Sequence, residues 1–446
     1  MPNAAYAGRV LVLGAGSVAQ CTVPLIMKDL VVSPSQITVM DYVDNRARFS
    51  ELLAAGGRYV DGQVTRENLD TLLGQYLGEG DFLLDLAWNI DANEIIGWCH
   101  DHGVLYLNTS VEVWDPYADA QAQDPRDRTL YVRHMRLREL RDTWANSGPT
   151  AVVEHGANPG LVSHWAKQAL FEIGTKAVAE GVAGPGVAEA LAAEDYPALA
   201  ETLGVKVIHI AERDTQVTDR PKQVNEFVNT WSIAGFHEEG VAPAELGWGT
   251  HEKALPPNGY AHETGPRNQI CIAQPGATVW VRSWVPNYET NGMVVRHGEA
   301  FTLCEHLTTY NADGSARYRP TVHYAYCPSD AAIASMRELQ ARNWELQDNL
   351  RIMNDEIISG EDRLGVLLMG HPYTAWWTGS MLSIDDARRL APGQSATTLQ
   401  VAASILGAAT WMVRNPDRGV MVPDDLPWRE VLAVESVPRG ALERTR

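Results

Sequence analysis

Short apolar runs of strand length alternate with helical stripes over the first part of the chain. Residues 9–13 form a valine and leucine run that stops at Gly14, and Ser17–Asp29 then spaces Val18, Val23, Leu25, Ile26 and Met27 as a helix does. A second buried run at 37–40 ends at Asp41. Further strand-like runs at 82–87 and 104–107 flank the helical stretch Ala92–His102. Strands alternating with helices predict an α/β fold with a doubly wound parallel sheet.

The pattern changes after Asp115. A charged, arginine-rich helix is predicted over 129–147 and a strand over 150–155, followed by the loop Gly156-Ala157-Asn158-Pro159-Gly160. Short alternating segments at 205–211, 278–284, 299–307 and 321–326 predict a second α+β domain with a mostly antiparallel sheet. The small-residue stretch 177–200 reads as a helical excursion, and 397–414 as a strongly apolar helix. The expected domains are 1–155, 156–395 and a C-terminal segment, 396–446, packing back on the first.

Gly14-Ala15-Gly16-Ser17-Val18-Ala19 is a G-x-G-x-x-A loop between a strand and a helix, the Rossmann signature for a dinucleotide. The first glycine permits the tight turn and the second lets the backbone approach a pyrophosphate. The free N–H groups at the start of the helix, beginning with Ser17 and Val18, then meet its charge. Asp41 stands where a carboxylate accepts hydrogen bonds from both ribose hydroxyls and repels a 2′-phosphate, which favours NAD, although nearby Arg46 could favour NADP. Asp85, Asn89, Asn108 and Thr109 follow strand ends, where ligands gather; ordinary loop capping accounts for them equally well.

Asn158 is a cleft residue or a routine Asn-Pro turn. Residues 229–240 join an aromatic face to two acids: Trp231 can hold an ammonium or iminium over its ring, and Glu239 can pair with an amine and take its proton. The bland alternative makes Trp231 core and the acids solvated. Glu212 and Asp214, at the end of the 205–211 segment, read as exposed acids. His297 is a candidate for proton transfer or a structural histidine. No metal site is expected: His237 lacks a second histidine at helical spacing, and Cys304-Glu305-His306 reads as a strand-like triple.

Composition narrows the partners. The net charge of -20 argues against nucleic acid. Between residues 156 and 330 there are 20 Asp and Glu against 12 Lys and Arg, so an amine is easier to hold there than a carboxylate. No apolar run reaches bilayer length, residues 1–8 lack a secretory pattern, and five scattered cysteines form no Cys-x-x-Cys pair, so a cytoplasmic protein is expected.

Together these residues resemble the bacterial homospermidine synthases, relatives of the saccharopine dehydrogenase-like proteins. The resemblance runs over nearly the whole length. It rests on the glycine loop, Leu84-Asp85-Leu86-Ala87-Trp88-Asn89, Tyr106-Leu107-Asn108-Thr109-Ser110, residues 156–162, Asn229-Thr230-Trp231-Ser232 with Glu239 eight residues beyond the tryptophan, and Asn415-Pro416-Asp417-Arg418-Gly419. It implies an enzyme that joins two putrescines into homospermidine with release of ammonia, or makes homospermidine from spermidine and putrescine. NAD would be a hydride store that is emptied and refilled within each turnover. It further implies that Trp231 stabilises a cationic imine, that Glu239 and Glu212 hold ammonium groups and move protons, that Asn158 and His297 line the pocket, and that the enzyme is a homodimer. A competing relative, reducing an amine adduct of an amino-acid semialdehyde, would need arginines for a carboxylate; Arg213, Arg220, Arg282 and Arg296 leave that open.

Overall fold

The computed structural model describes residues 5–30, 32–116, 123–434 and 443–444. Residues 1–4, and the end of the expected C-terminal segment at 435–442 and 445–446, lie outside the described residues. The chain forms two compact units: the first takes in residues 1–121, 133–161 and 387–438, and the second 122–132, 162–386 and 439–446.

The first unit carries a seven-stranded sheet in the order Val420–Met421, Ala151–Val152, Leu105–Asn108, Phe82–Asp85, Val10–Leu13, Ile37–Asp41, Arg58–Asp61, and every neighbouring pair is parallel. The order reverses at Val10–Leu13, so this is the Rossmann arrangement expected from the strand and helix alternation. The four central strands are buried on both faces, which is why they read as unbroken apolar runs. Leu11, Leu83, Ile95, Tyr106 and Val153 join one core beneath the sheet. Ala396–Met412, almost wholly buried, packs on Ser17–Asp29, and Val420–Met421 adds the edge strand beside Ala151–Val152.

The second unit is built on a ten-stranded sheet whose pairs are antiparallel with one exception. Val207–Asp214 and Thr321–Cys327 run parallel, with Ile210 opposite Tyr324 and Glu212 opposite Tyr326. Two long strands not anticipated from the pattern, Glu361–Met369 and Ala375–Ser383, extend the sheet beyond Val207–Asp214.

Two sequence expectations fail here. Residues 299–307 are a turn, Gly298–Ala300, followed by the helix Thr302–His306, with Glu305 and Leu307 donating to the carbonyls of Phe301 and Leu303. Ala300 to Cys304 are buried without alternation, and such a run has no periodicity by which to tell helix from strand. Cys304-Glu305-His306 is therefore helical. Glu212 and Asp214 lie inside their strand rather than after it, and both are buried because neighbours satisfy their oxygens.

Candidate functional site: a dinucleotide cleft and an acid–aromatic cluster

Gly14 sits at φ +87°, and a Cβ there would come 2.7 Å from the Leu86 carbonyl oxygen, so only glycine makes this turn. Gly16 differs. Nothing lies within 4 Å of the place its Cβ would occupy, and that open space belongs to a cleft of about 570 Å³ at the carboxyl ends of the strands. Gly14, Gly16, Asp41 and Asn89 line the cleft, with Trp88 and Trp114 as aromatic walls. Its size is within the range of about 300–1,000 Å³ usual for ligand sites. The residues present fit a dinucleotide: a glycine backbone open to a pyrophosphate, a helix start at Ser17, and an acid at the end of the second strand.

Asp41 is held in place. Its carboxylate accepts from the Ala15 N–H at 2.6 Å and the Val43 N–H at 2.9 Å. The guanidinium of Arg46 is engaged by Asp61, at 2.7 and 2.6 Å, and by Asp44 at 2.9 Å. Asn89, at φ +63°, accepts from the Asp115 N–H.

Asp85 and Asn108 do not line the cleft but form a buried network under it. The Tyr106 hydroxyl donates to Asp85 at 2.9 Å, Asn108 donates to that hydroxyl at 2.9 Å, and the Ala87 N–H donates to Asp85 at 3.2 Å. The Asn108 side-chain Oδ1 also accepts from the Glu154 N–H, and Glu154 faces His134 at 2.7 Å. Burial pushes Asp85 up to about 6. The network fixes the 86–87 turn against which Gly14 packs. Thr109 lies just past the same strand, its side chain against Gly156. Asn158 belongs to the first unit, half-buried, before a cis proline.

The second unit brings together four residues expected from the sequence. Ser232 caps the helix Ile233–Val241, its hydroxyl accepting from the Gly235 N–H, and the last helical turn carries Glu238 and Glu239. Trp231 donates its indole N–H to the Tyr326 hydroxyl at 2.9 Å. Tyr326 stacks on Tyr324, with centroids 4.9 Å apart and planes 9° from parallel, and Tyr324 donates to Glu212. The His297 ring lies 4.3 Å from Tyr324, edge to face, and its Nε2 is 3.7 Å from Glu239 Oε1. Trp231, Glu212, Glu239 and His297 thus share one cluster, joined through two tyrosines that sequence reasoning missed.

The electrostatics of this cluster suit a cation. Glu238 and Arg296 are both buried and neutralise each other, and Arg296 also donates to the Arg128 carbonyl. Glu212 and Glu239 stand among the acids beside the tyrosine rings, Glu212 accepting from Tyr324 and Glu239 lying near His297. Burial, with Glu212 adding to it, pushes both tyrosine phenols well above their ordinary range, so they stay protonated and can act as donors. An aromatic face beside carboxylates favours an ammonium or iminium over free solvent.

Residues 10–152 match the saccharopine dehydrogenase NADP binding domain, and residues 156–435 the saccharopine dehydrogenase C-terminal domain. The homospermidine synthase of Blastochloris viridis is 40% identical over 435 residues, covering 96% of this chain and 89% of that protein. The chain belongs to the homospermidine synthase family. The Mesorhizobium japonicum homospermidine synthase is 39% identical across 98% of this chain and 90% of its own length. The crystal structure of the Legionella pneumophila homospermidine synthase, solved in complex with NAD, superposes with a TM-score of 0.88 at 37% identity, covering all of this chain and 93% of that one. The segments quoted for the resemblance, the glycine loop and Asn229-Thr230-Trp231-Ser232 with Glu239, contribute to the cleft lining and to the acid–aromatic cluster described above.

Proposed function

We propose that the protein is a homospermidine synthase that joins two putrescines with release of ammonia, or spermidine and putrescine with release of 1,3-diaminopropane. The observation that carries this reading is the acid–aromatic cluster of Trp231, Tyr326, Tyr324, Glu212, His297 and Glu239 in a chain of this family. When bound, NAD would supply reversible hydride transfer at the carbon beside one amine, so that net redox change would be zero.

The chain's own residues then do the following. Gly14, Gly16 and the helix start at Ser17 and Val18 hold the pyrophosphate, and Asp41 the ribose. Asn89 and Thr109 complete the cofactor site, with Asp85 and Asn108 holding its turn from beneath. Hydride leaves an amine carbon only when the nitrogen is neutral, so Glu239, beside His297, takes the proton from the reacting ammonium. Glu212, oriented by Tyr324, anchors the distal ammonium. Trp231 offers its face to the iminium, while the Tyr326 hydroxyl fixes the indole plane. Asn158 is assigned to the pocket by the resemblance alone.

The competing relative, with an amino-acid substrate, needs arginines for a carboxylate. The four sequence candidates are engaged: Arg213 by the Pro328 carbonyl and Asp330, Arg220 by Glu226, Arg282 by Glu289, and Arg296 by Glu238 and Arg128. A cytosolic homodimer belongs to the same proposal. The five free thiols, four of them buried, support a reducing compartment, and no described helix is long and apolar enough to cross a membrane. The homodimer rests on the resemblance.

Incubating the purified protein with putrescine and a trace of NAD tests the reading. Homospermidine in molar excess over NAD, without accumulating NADH, is expected; NADH formed in step with amine consumed would overturn it.

A further inference from the structure

In the loop after the second strand, more than Asp41 stands against a 2′-phosphate. Asp41 and Asp61 are register partners on adjacent parallel strands. Arg46, in the loop that follows Asp41, is the cation that could meet a 2′-phosphate there. Asp61 grips its terminal nitrogen with both carboxylate oxygens, at 2.7 and 2.6 Å, while Asp44 takes its Nε at 2.9 Å and its backbone N–H at 3.1 Å. The guanidinium lies over Tyr59 at 5.4 Å, and the Tyr59 hydroxyl donates to the Val43 carbonyl at 2.6 Å, pinning the loop whose Tyr42 and Val43 line the cleft. Two carboxylates therefore hold this guanidinium, and Asp41 is the register neighbour of one of them.

We propose that Asp44 and Asp61 are specificity-determining residues for the cofactor. By holding Arg46 they deny its guanidinium to a 2′-phosphate. Selectivity for NAD is thus a property of four side chains rather than of Asp41 alone. This inference rests on the reading of the cleft as a dinucleotide site.

Calorimetric titration of NAD and NADP into the purified protein tests it. D41S alone is expected to gain little NADP affinity. D41S/D44N/D61N should bind NADP about tenfold more tightly than D41S, the effect of a surface guanidinium released to pair with the 2′-phosphate. Adding R46A should cancel that gain. The side chains of Asp44 and Asp61 are 64% and 66% exposed, so the amides leave the fold intact, and D41S/D61N provides a second variant that should show part of the gain. Equal NADP affinity in D41S and the triple variant, or a gain that survives R46A, overturns the proposal. Wild-type protein that binds NAD but makes no homospermidine would sink the enzymatic reading and leave this one standing; wild type binding neither nucleotide would sink the dinucleotide site and both with it.

Discussion

Replacing Trp231 separates the two jobs the structure gives its indole. The N–H donates to Tyr326 at 2.9 Å, and the ring offers a π face in a cluster whose acids are Glu212 and Glu239. Trp231→Phe removes the donor and keeps a face; Trp231→Leu removes both at similar apolar bulk. A neutral hydrogen bond of this kind contributes about 1 kcal/mol, or about fivefold. A cation over a desolvated ring contributes about 2 kcal/mol, or about 30-fold. W231F should therefore lower kcat/KM for homospermidine formation about fivefold, and W231L about 150-fold, the product of the two effects. The assay is chromatographic measurement of homospermidine at varied putrescine, with NAD affinity determined in parallel and expected unchanged, since Trp231 is remote in sequence from every residue lining the dinucleotide cleft. W231L retaining activity within a few-fold of W231F would refute a cation held over the ring.

Glu239→Gln should lower turnover by about two orders of magnitude or more, the usual contribution of a positioned base, while NAD stays bound; loss of NAD in that variant would count against the assigned role. Gly16→Ala should leave the melting temperature unchanged, because open space surrounds it, and weaken NAD binding by about tenfold or more, equivalent to about 1.4 kcal/mol. Gly14→Ala, at positive φ and against the Leu86 carbonyl, should instead destabilise the fold by roughly 1–3 kcal/mol in a denaturant titration. Asp85 rises from 3.8 to about 6 through burial, so its folded form binds a proton that the unfolded form releases. Stability from this group is complete below the unfolded value and is lost as pH climbs through about 6. The stability of D85N relative to wild type should accordingly shift in the variant's favour by up to about 3 kcal/mol between acid and neutral pH; a constant difference would mean that Asp85 does not titrate there.

The dinucleotide half was readable because its grammar is local. Strand, Gly14 to Gly16, helix, strand and Asp41 follow one another within a few dozen residues, and each has a single conformational job. The catalytic half was readable only in part. Trp231 precedes one short capped helix and Glu239 lies in its last turn, close in sequence, but Tyr324 and Tyr326 look like strand core, and what makes them part of the site is the parallel pairing of Thr321–Cys327 with Val207–Asp214, more than a hundred residues away. The same pairing buries Glu212, which by itself reads as an exposed acid. Asp85 and Asn108 were legible as polar residues at strand ends, but not as partners through Tyr106, since that contact crosses between strands. The segment 299–307 misled because it is buried on all sides.

The central claim is that a hydride leaves one putrescine carbon and returns to it without leaving the enzyme. Putrescine deuterated at both aminomethyl carbons, incubated with the protein, a trace of NAD and an excess of unlabelled NADH, measures this directly by mass spectrometry of the product. Homospermidine that retains all of its deuterium is the predicted result. Product lacking one deuterium, with the label recovered in the free nicotinamide pool, would contradict it.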